Sequence, residues 1–238
     1  APHHTSSHTA LTGGGQVPKP GEISLANKGV LFLDELPEFS RNALEILRQP
    51  MEDGSVTISR TAATITYPSD FMLVAAMNPC PCGNLFSGDS CTCTSTEISK
   101  YLHKISGPLL DRIDIQTETT KIDYSDIRYS GGSGEKSADI LKRVLKAIEI
   151  QKRRYQNDNI LYNSQLSSTQ IEKYCKLDDK CHILLKQAFD SMGLSVRAYH
   201  KILKVARTIA DIDECENIED IHVMEAIQYR SLDRKYWG

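Results

Sequence analysis

The sequence predicts an α/β domain followed by an all-helical one, and three observations carry that prediction. Two apolar runs, residues 30–33 (Val30-Leu31-Phe32-Leu33) and 71–77, have the unbroken character of strands in a parallel sheet buried on both faces. Residues 55–59 and 64–67 alternate in period two on either side of a short turn at Arg60, the pattern of a β-hairpin. From Ser137 onward the apolar residues recur at helical spacing. The expected organisation is an α/β part over 1–120, a polar linker over 121–136 carrying Gly131-Gly132-Ser133-Gly134, and a helical part over 137–238.

Composition sets the outer bounds. A chain of 238 residues with 40% hydrophobic and 25% charged side chains can bury a real core. No run approaches the roughly 20 apolar residues of a membrane span, and no signal peptide opens the chain, so a cytoplasmic protein is expected. A net charge of −3 leaves any nucleic-acid contact to local basic patches. Seven cysteines are an odd number, and without a secretory signal they fit reduced thiols or a metal site better than a disulfide scaffold. The chain starts at Ala1 without an initiator Met, which suggests a piece of a longer protein.

In chain order, residues 1–28 read as a projecting surface segment. Its histidines, His3, His4 and His8, are scattered imidazoles, and Gly13-Gly14-Gly15 with Pro18-Lys19-Pro20-Gly21 reads as a mobile loop. A short helical turn over 22–26 stops at Asn27 and Gly29. After the first strand run come Asp34 and Glu35. Acidic residues at the carboxyl end of a buried strand point into the crevice where α/β sheets bind ligands. Two adjacent carboxylates there are costly unless a cation or reacting group uses them. The bland reading is a strand that ends in an acidic turn. Ser40 should cap a helix over 41–47 that Pro50 interrupts. The second strand run ends at Asn78, which brings a polar amide to the same edge as Asp34 and Glu35.

Cys80, Cys82, Cys91 and Cys93 form two C-x-C pairs in a 14-residue loop. Four thiolates suit a closed, structural Zn²⁺ site, while four reduced thiols without metal are the plain alternative. A helix is expected over 98–105, broken at Gly107-Pro108, and residues 109–115 should lead into a further strand. Gly134-Glu135-Lys136-Ser137 lacks the spacing of a phosphate-binding loop and follows no strand, so it is set aside. In the helical part, the first helix carries the stripe Ile140, Leu141, Val144, Leu145 and Ile148 beneath a basic face of Lys142, Arg143, Lys146, Lys152, Arg153 and Arg154. That face reads more simply as solvated than as a nucleic-acid surface. Further helices are expected from Ser167 with the capping-box pattern Ser167-x-x-Gln170, over 178–192 ending at Gly193, over 196–212 capped by Ser195, and over 220–229. Arg197 falls in a first helical turn, where the dipole favours anions rather than cations.

Taken together, these motifs resemble the magnesium-chelatase and MCM branch of AAA+ ATPases. Residues 29–35 resemble its Walker B motif, 74–79 its sensor 1 strand, 109–114 its arginine-finger motif and 195–198 its sensor 2. Residues 20–26 are similar to the helix-2 insert and the hairpin at Arg60 to the pre-sensor 1 hairpin. The wider text resembles the ComM/YifB subfamily. The resemblance implies a partial AAA+ core with a helical lid, ATP with Mg²⁺, and a homo-oligomeric ring, expected to be a hexamer. Asp34 would hold Mg²⁺, Glu35 would orient and deprotonate the attacking water, and Asn78 would position it. Arg112 would act in a neighbouring subunit, and Arg197 would sense the γ-phosphate. An Arg112→Ala change is expected to abolish turnover and leave the fold intact. Lys19 and Arg60 would sit on pore loops contacting DNA. One departure stands out: no G-x-x-x-x-G-K-[ST] occurs in these residues, so the chain is expected to be a fragment of a larger ATPase with little ATP affinity alone. Three functions compete: a DNA-remodelling motor of the ComM kind, a chelatase-type motor driving metal insertion into a tetrapyrrole, and a non-enzymatic, zinc-stabilised interaction module.

Overall fold

A computed structural model describes residues 1–60, 63–85, 90–119 and 134–237. The chain divides into two compact units: Ala1–Ile113 together with the C-terminus from Tyr236, and Asp114–Lys235. Of the expected linker over 121–136, residues 121–133 lie outside the described residues.

In the first unit Ser7 caps α1 (His8–Thr12) by accepting the Ala10 N–H. The chain then forms a tight antiparallel ribbon, β1 (Gly13–Gly14) with β2 (Lys19–Pro20), and enters α2 (Glu22–Leu25). The ribbon needs its glycines. Gly13 has φ +96°, and a Cβ there would lie 2.2 Å from the Lys19 carbonyl oxygen. Leu11 and Ile23 are fully buried. Leu11 and Ile23 thus anchor the opening segment in the core, where a projection was expected. Its glycines serve close backbone approach, which composition alone does not separate from flexibility.

Strand β3 (Val30–Leu33) ends in a 3₁₀ turn, Leu36–Glu38, and helices α3 (Arg41–Ile46) and α4 (Arg48–Asp53) follow. Ser40 caps α3 through the Ala43 N–H. Pro50 sits in the first turn of α4, where its missing N–H costs nothing, so the helical path resumes after a break at Leu47. Strands β4 (Ser55–Ser59) and β5 (Thr64–Pro68) form the expected hairpin, with Thr57 opposite Thr66. The chain then enters β6 (Met72–Ala75), which pairs in parallel with β3, Leu31 opposite Leu73 and Leu33 opposite Ala75. Leu31 and Leu33 are buried in one cluster with Phe39 and Leu44. Phe32, on the opposite face, is 37% exposed, and Met72 is 64% exposed. Among the described residues the sheet is thus covered on one face, where the unbroken apolar runs predict two. Helices α5 (Ser95–Leu102) and α6 (Gly107–Leu110) complete the unit. Beyond α6, residues 113–119 form no strand, contrary to expectation, because Leu109 and Leu110 are spent on a capped helical turn opened by Ser106.

The second unit is helical: α7 (Ser137–Arg154), α8 (Ser168–Tyr174), α9 (Asp179–Met192), α10 (Val196–Ile212), α11 (Asp220–Gln228) and most of α12 (Ser231–Trp237), whose last residues belong to the first unit and which was unforeseen in the sequence. Ser167 and Gln170 form the expected capping box, Gly193 ends α9 at φ +61°, and Ser195 caps α10. Tyr155, Leu185, Ile202, Ala206 and Val223 share the core. Asp211 is fully buried and accepts from Arg154, Arg207 and Asn163, which satisfies a charge that burial would otherwise make expensive. Helix α7 departs from expectation. Ile140, Leu141, Val144 and Leu145 are exposed, and its buried residues are Ala147 and Gln151 nearer its C-terminus. Much of its basic face is paired with carboxylates: Lys142 with Asp139, Arg143 with Glu135 and Lys146 with Glu214.

Candidate functional site: a carboxylate–amide edge beside a thiol cluster

The parallel register of β3 and β6 fixes the first feature. Because Leu33 and Ala75 are partners, Asp34, Glu35 and Asn78 leave the sheet at the same, carboxyl, edge. Two backbone bonds hold the strand exits together: the Ala76 N–H donates to the Leu33 carbonyl at 2.9 Å, and the Leu36 N–H to the Ala76 carbonyl at 3.0 Å. Asp34 is exposed, and its Oδ1 accepts the Glu35 N–H at 2.9 Å. Glu35 adopts a left-handed conformation, φ 52° and ψ 47°. For a non-glycine residue this stores on the order of 1 kcal/mol, and such strain clusters where a side chain must be aimed. Its carboxylate meets His4 Nδ1 at 3.0 Å, and the His4 ring stands edge-on to Phe39.

Tyr101 of α5 closes the edge from below. Its hydroxyl is hydrogen-bonded to the Asn78 backbone, and burial, reinforced by the negative charge of Glu38, pushes its pKa up to about 12. His4 and Tyr101 are the two residues that sequence reasoning missed. The His4–Glu35 pair spans 31 residues of chain, and Tyr101 is one aromatic on an amphipathic helix, so neither carried a local signal.

Just beyond Asn78 the four loop cysteines converge. Their ligand atoms all lie within 4.8 Å of one another. The Sγ atoms of Cys80 and Cys82 are 3.4 Å apart, of Cys80 and Cys91 3.7 Å, and of Cys82 and Cys91 3.5 Å. All four are free thiols, and the cluster could hold a metal ion.

Arg112 is placed differently from expectation. Its side chain is 7% exposed, pairs with Glu52 at 2.6 Å, and donates to the carbonyls of Arg48 at 3.1 Å and Pro108 at 2.6 Å. It is an internal cation that ties α4 to α6. Truncation would take a donor from those carbonyls and the partner from Glu52, so its removal is expected to bear on the fold as well as on any activity. Arg197 is exposed in the first turn of α10 in the second unit.

Lys19 and Arg60, far apart in sequence, lie on elements that pack together. The Tyr67 hydroxyl of the hairpin donates to the Pro18 carbonyl at 2.9 Å, and a Cβ on Gly14 would come within 3.1 Å of the Arg60 guanidinium. The ribbon and the hairpin thus lie against each other, with Lys19 and Arg60 both exposed.

The two carboxylates and the amide thus share the carboxyl edge of two parallel strands, and comparison with known proteins gives the family. Residues 1–127 match the family described as "Magnesium chelatase, subunit ChlI", and residues 134–230 match "Magnesium chelatase, subunit ChlI C-terminal". The chain belongs to this magnesium-chelatase family of AAA+ type. It is 49% identical to "Competence protein ComM" of Haemophilus influenzae and 47% identical to "Uncharacterized protein YifB" of Escherichia coli, in each case over 98% of this chain and 45% of the relative. It is also 33% identical to "Magnesium-chelatase subunit ChlI" of Chlorella vulgaris over 70 residues, 29% of this chain and 20% of that protein. The chain spans less than half the length of the ComM and YifB relatives. No helix among the described residues is long and apolar enough to cross a membrane.

Proposed function

We propose that this chain supplies the water-activating half of an ATP site in a ring-forming, cytoplasmic AAA+ ATPase that works on DNA. The observation that carries the reading is the shared edge of Asp34, Glu35 and Asn78 at the carboxyl ends of two parallel strands. The donor set suits a hydrated Mg²⁺–nucleotide: an exposed carboxylate for the cation, a second aimed by its own left-handed backbone, and an amide beside it. Asp34 would hold Mg²⁺, which would supply neutralisation of the phosphate charge. Glu35 accepts the proton of the attacking water, and Asn78 orients that water. Arg112 as a finger for a neighbouring subunit in a hexamer requires release from Glu52. Arg197 is offered by the lid for the γ-phosphate. The loop that holds the β- and γ-phosphates belongs to another part of the longer protein.

Two supports favour DNA as the substrate. Pairwise similarity to ComM and YifB is 47–49% identity over 98% of the chain, whereas that to the Chlorella vulgaris chelatase subunit is 33% over 70 residues, although the matching family models carry the chelatase subunit's name. Lys19 and Arg60, exposed on adjoining elements, would also give each subunit a pair of basic side chains that ring symmetry would multiply. A chelatase-type motor remains the second reading, favoured by that 70-residue match. The test is DNA binding by the full-length protein as a function of salt. Replacing both Lys19 and Arg60 with Ala is expected to weaken binding. It should also flatten the plot of log affinity against log salt, by about one unit for each phosphate that is no longer neutralised. An unchanged slope, or an ATPase indifferent to DNA, would favour the chelatase reading.

A further inference from the structure

We propose that Cys80, Cys82, Cys91 and Cys93 bind one Zn²⁺ in a closed tetrathiolate site, and that the ion fixes the position of Asn78. The second half rests on the hydrolase reading above, and the first does not. In a tetrahedral site with Zn–S bonds of about 2.3 Å the sulfurs stand about 3.8 Å apart. The three separations of 3.4, 3.5 and 3.7 Å come close to that figure and are far longer than a disulfide bond. Core packing does not account for the crowding. Cys80 is buried, but Cys82, Cys91 and Cys93 are partly exposed, so apolar burial alone would not draw four thiols together at a surface.

Gly83, at φ +79°, makes the turn after the first C-x-C pair, with its N–H donating to the Cys80 carbonyl at 3.0 Å. Every ligand position of a four-coordinate ion is filled by protein, so the site is structural and leaves none open for substrate.

Its location gives the ion a task. The first ligand, Cys80, is two residues past Asn78. The last, Cys93, directly precedes Thr94, which opens α5 with a capping box to Glu97. Helix α5 then returns Tyr101 to the Asn78 backbone. The metal closes this path into a ring: Asn78, Cys80, the ion, Cys93, α5, Tyr101 and back. A loop with little apolar core of its own gains its order from such a bond.

The experiment is zinc analysis of the full-length protein purified without chelator, followed by Co²⁺ substitution. The expected result is one zinc per chain and, with cobalt, the intense ligand-field and sulfur-to-metal bands of a tetrahedral tetrathiolate. A chain with less than half an equivalent of zinc, or with the weak spectrum of octahedral cobalt, would overturn the site. Cys82→Ser and Cys91→Ser should each lose zinc while Cys215→Ser keeps it; full zinc content in Cys91→Ser would refute the ligand set. Hydrogen exchange tests the positioning role on the wild-type protein with and without zinc. Removal should speed amide exchange through residues 78–82 and 90–101 by tenfold or more, with the second unit unaffected. Unchanged exchange at Asn78 would overturn that role. None of these readouts uses ATP, so an inactive protein that binds zinc would count against the hydrolase reading alone.

Discussion

At the scale of single residues, the carboxylate pair and the arginine teach opposite lessons. Asp34, Glu35 and Asn78 were legible because an apolar strand ending in polar groups carries its own address: the end of the strand is the edge of the sheet. Arg112 was legible as a residue of interest but not in its placement, because its partner Glu52 and the carbonyls it binds come from segments near and far in sequence. The structure makes it a bridge before it is anything else. Arg112→Ala should therefore destabilise the first unit by about 1–3 kcal/mol, from the loss of the hydrogen bonds and ion pair made by a buried guanidinium, discounted for a partner carboxylate that is 40% exposed. Chemical denaturation of wild type and variant measures this. A variant as stable as wild type would mean that Arg112 is free to act elsewhere. Any loss of ATPase activity in this variant has to be read beside its stability.

At the scale of elements, periodicity and caps were legible and close approaches were not. The β4–β5 hairpin, α3 with Ser40, α8 with its capping box and α10 with Ser195 all stand where alternation or capping residues put them. The helix expected over 98–105 begins earlier, at Ser95, where Thr94 and Glu97 form a capping box. What failed was the glycine-rich opening segment. Gly13 and Gly21 are glycines because two backbones touch, and a mobile loop has the same composition. A Cβ on Gly21 would lie 2.3 Å from the Gly13 amide and 2.4 Å from the Leu11 carbonyl oxygen. Gly21→Ala is thus expected to cost about 2 kcal/mol or more, because the added methyl forces the ribbon apart. Thermal unfolding checks it. An unshifted midpoint would show that the ribbon is loose after all. Burial faces were also beyond local pattern: the runs at β3 and β6 are apolar on both sides, yet one side is covered among the described residues.

For the whole molecule, the division into an α/β unit and a helical unit followed from the change of period in the sequence, and the family match covers both parts. The tertiary pairings that make the candidate site, His4 with Glu35 and Tyr101 with Asn78, arise only when β3 and β6 lie side by side and the opening segment and α5 fold back onto them. No local window contains them. The thiol cluster is intermediate: its four cysteines were visible by spacing, and their convergence beside Asn78 was not. The central claim is that Glu35 activates the water that hydrolyses ATP, and the steady-state ATPase rate of the full-length protein carrying Glu35→Gln tests it most directly. The side chain keeps its size and its left-handed backbone but loses its basicity, so kcat should fall by about 10²–10⁴ while nucleotide binding persists. Turnover equal to wild type in Glu35→Gln would contradict the account.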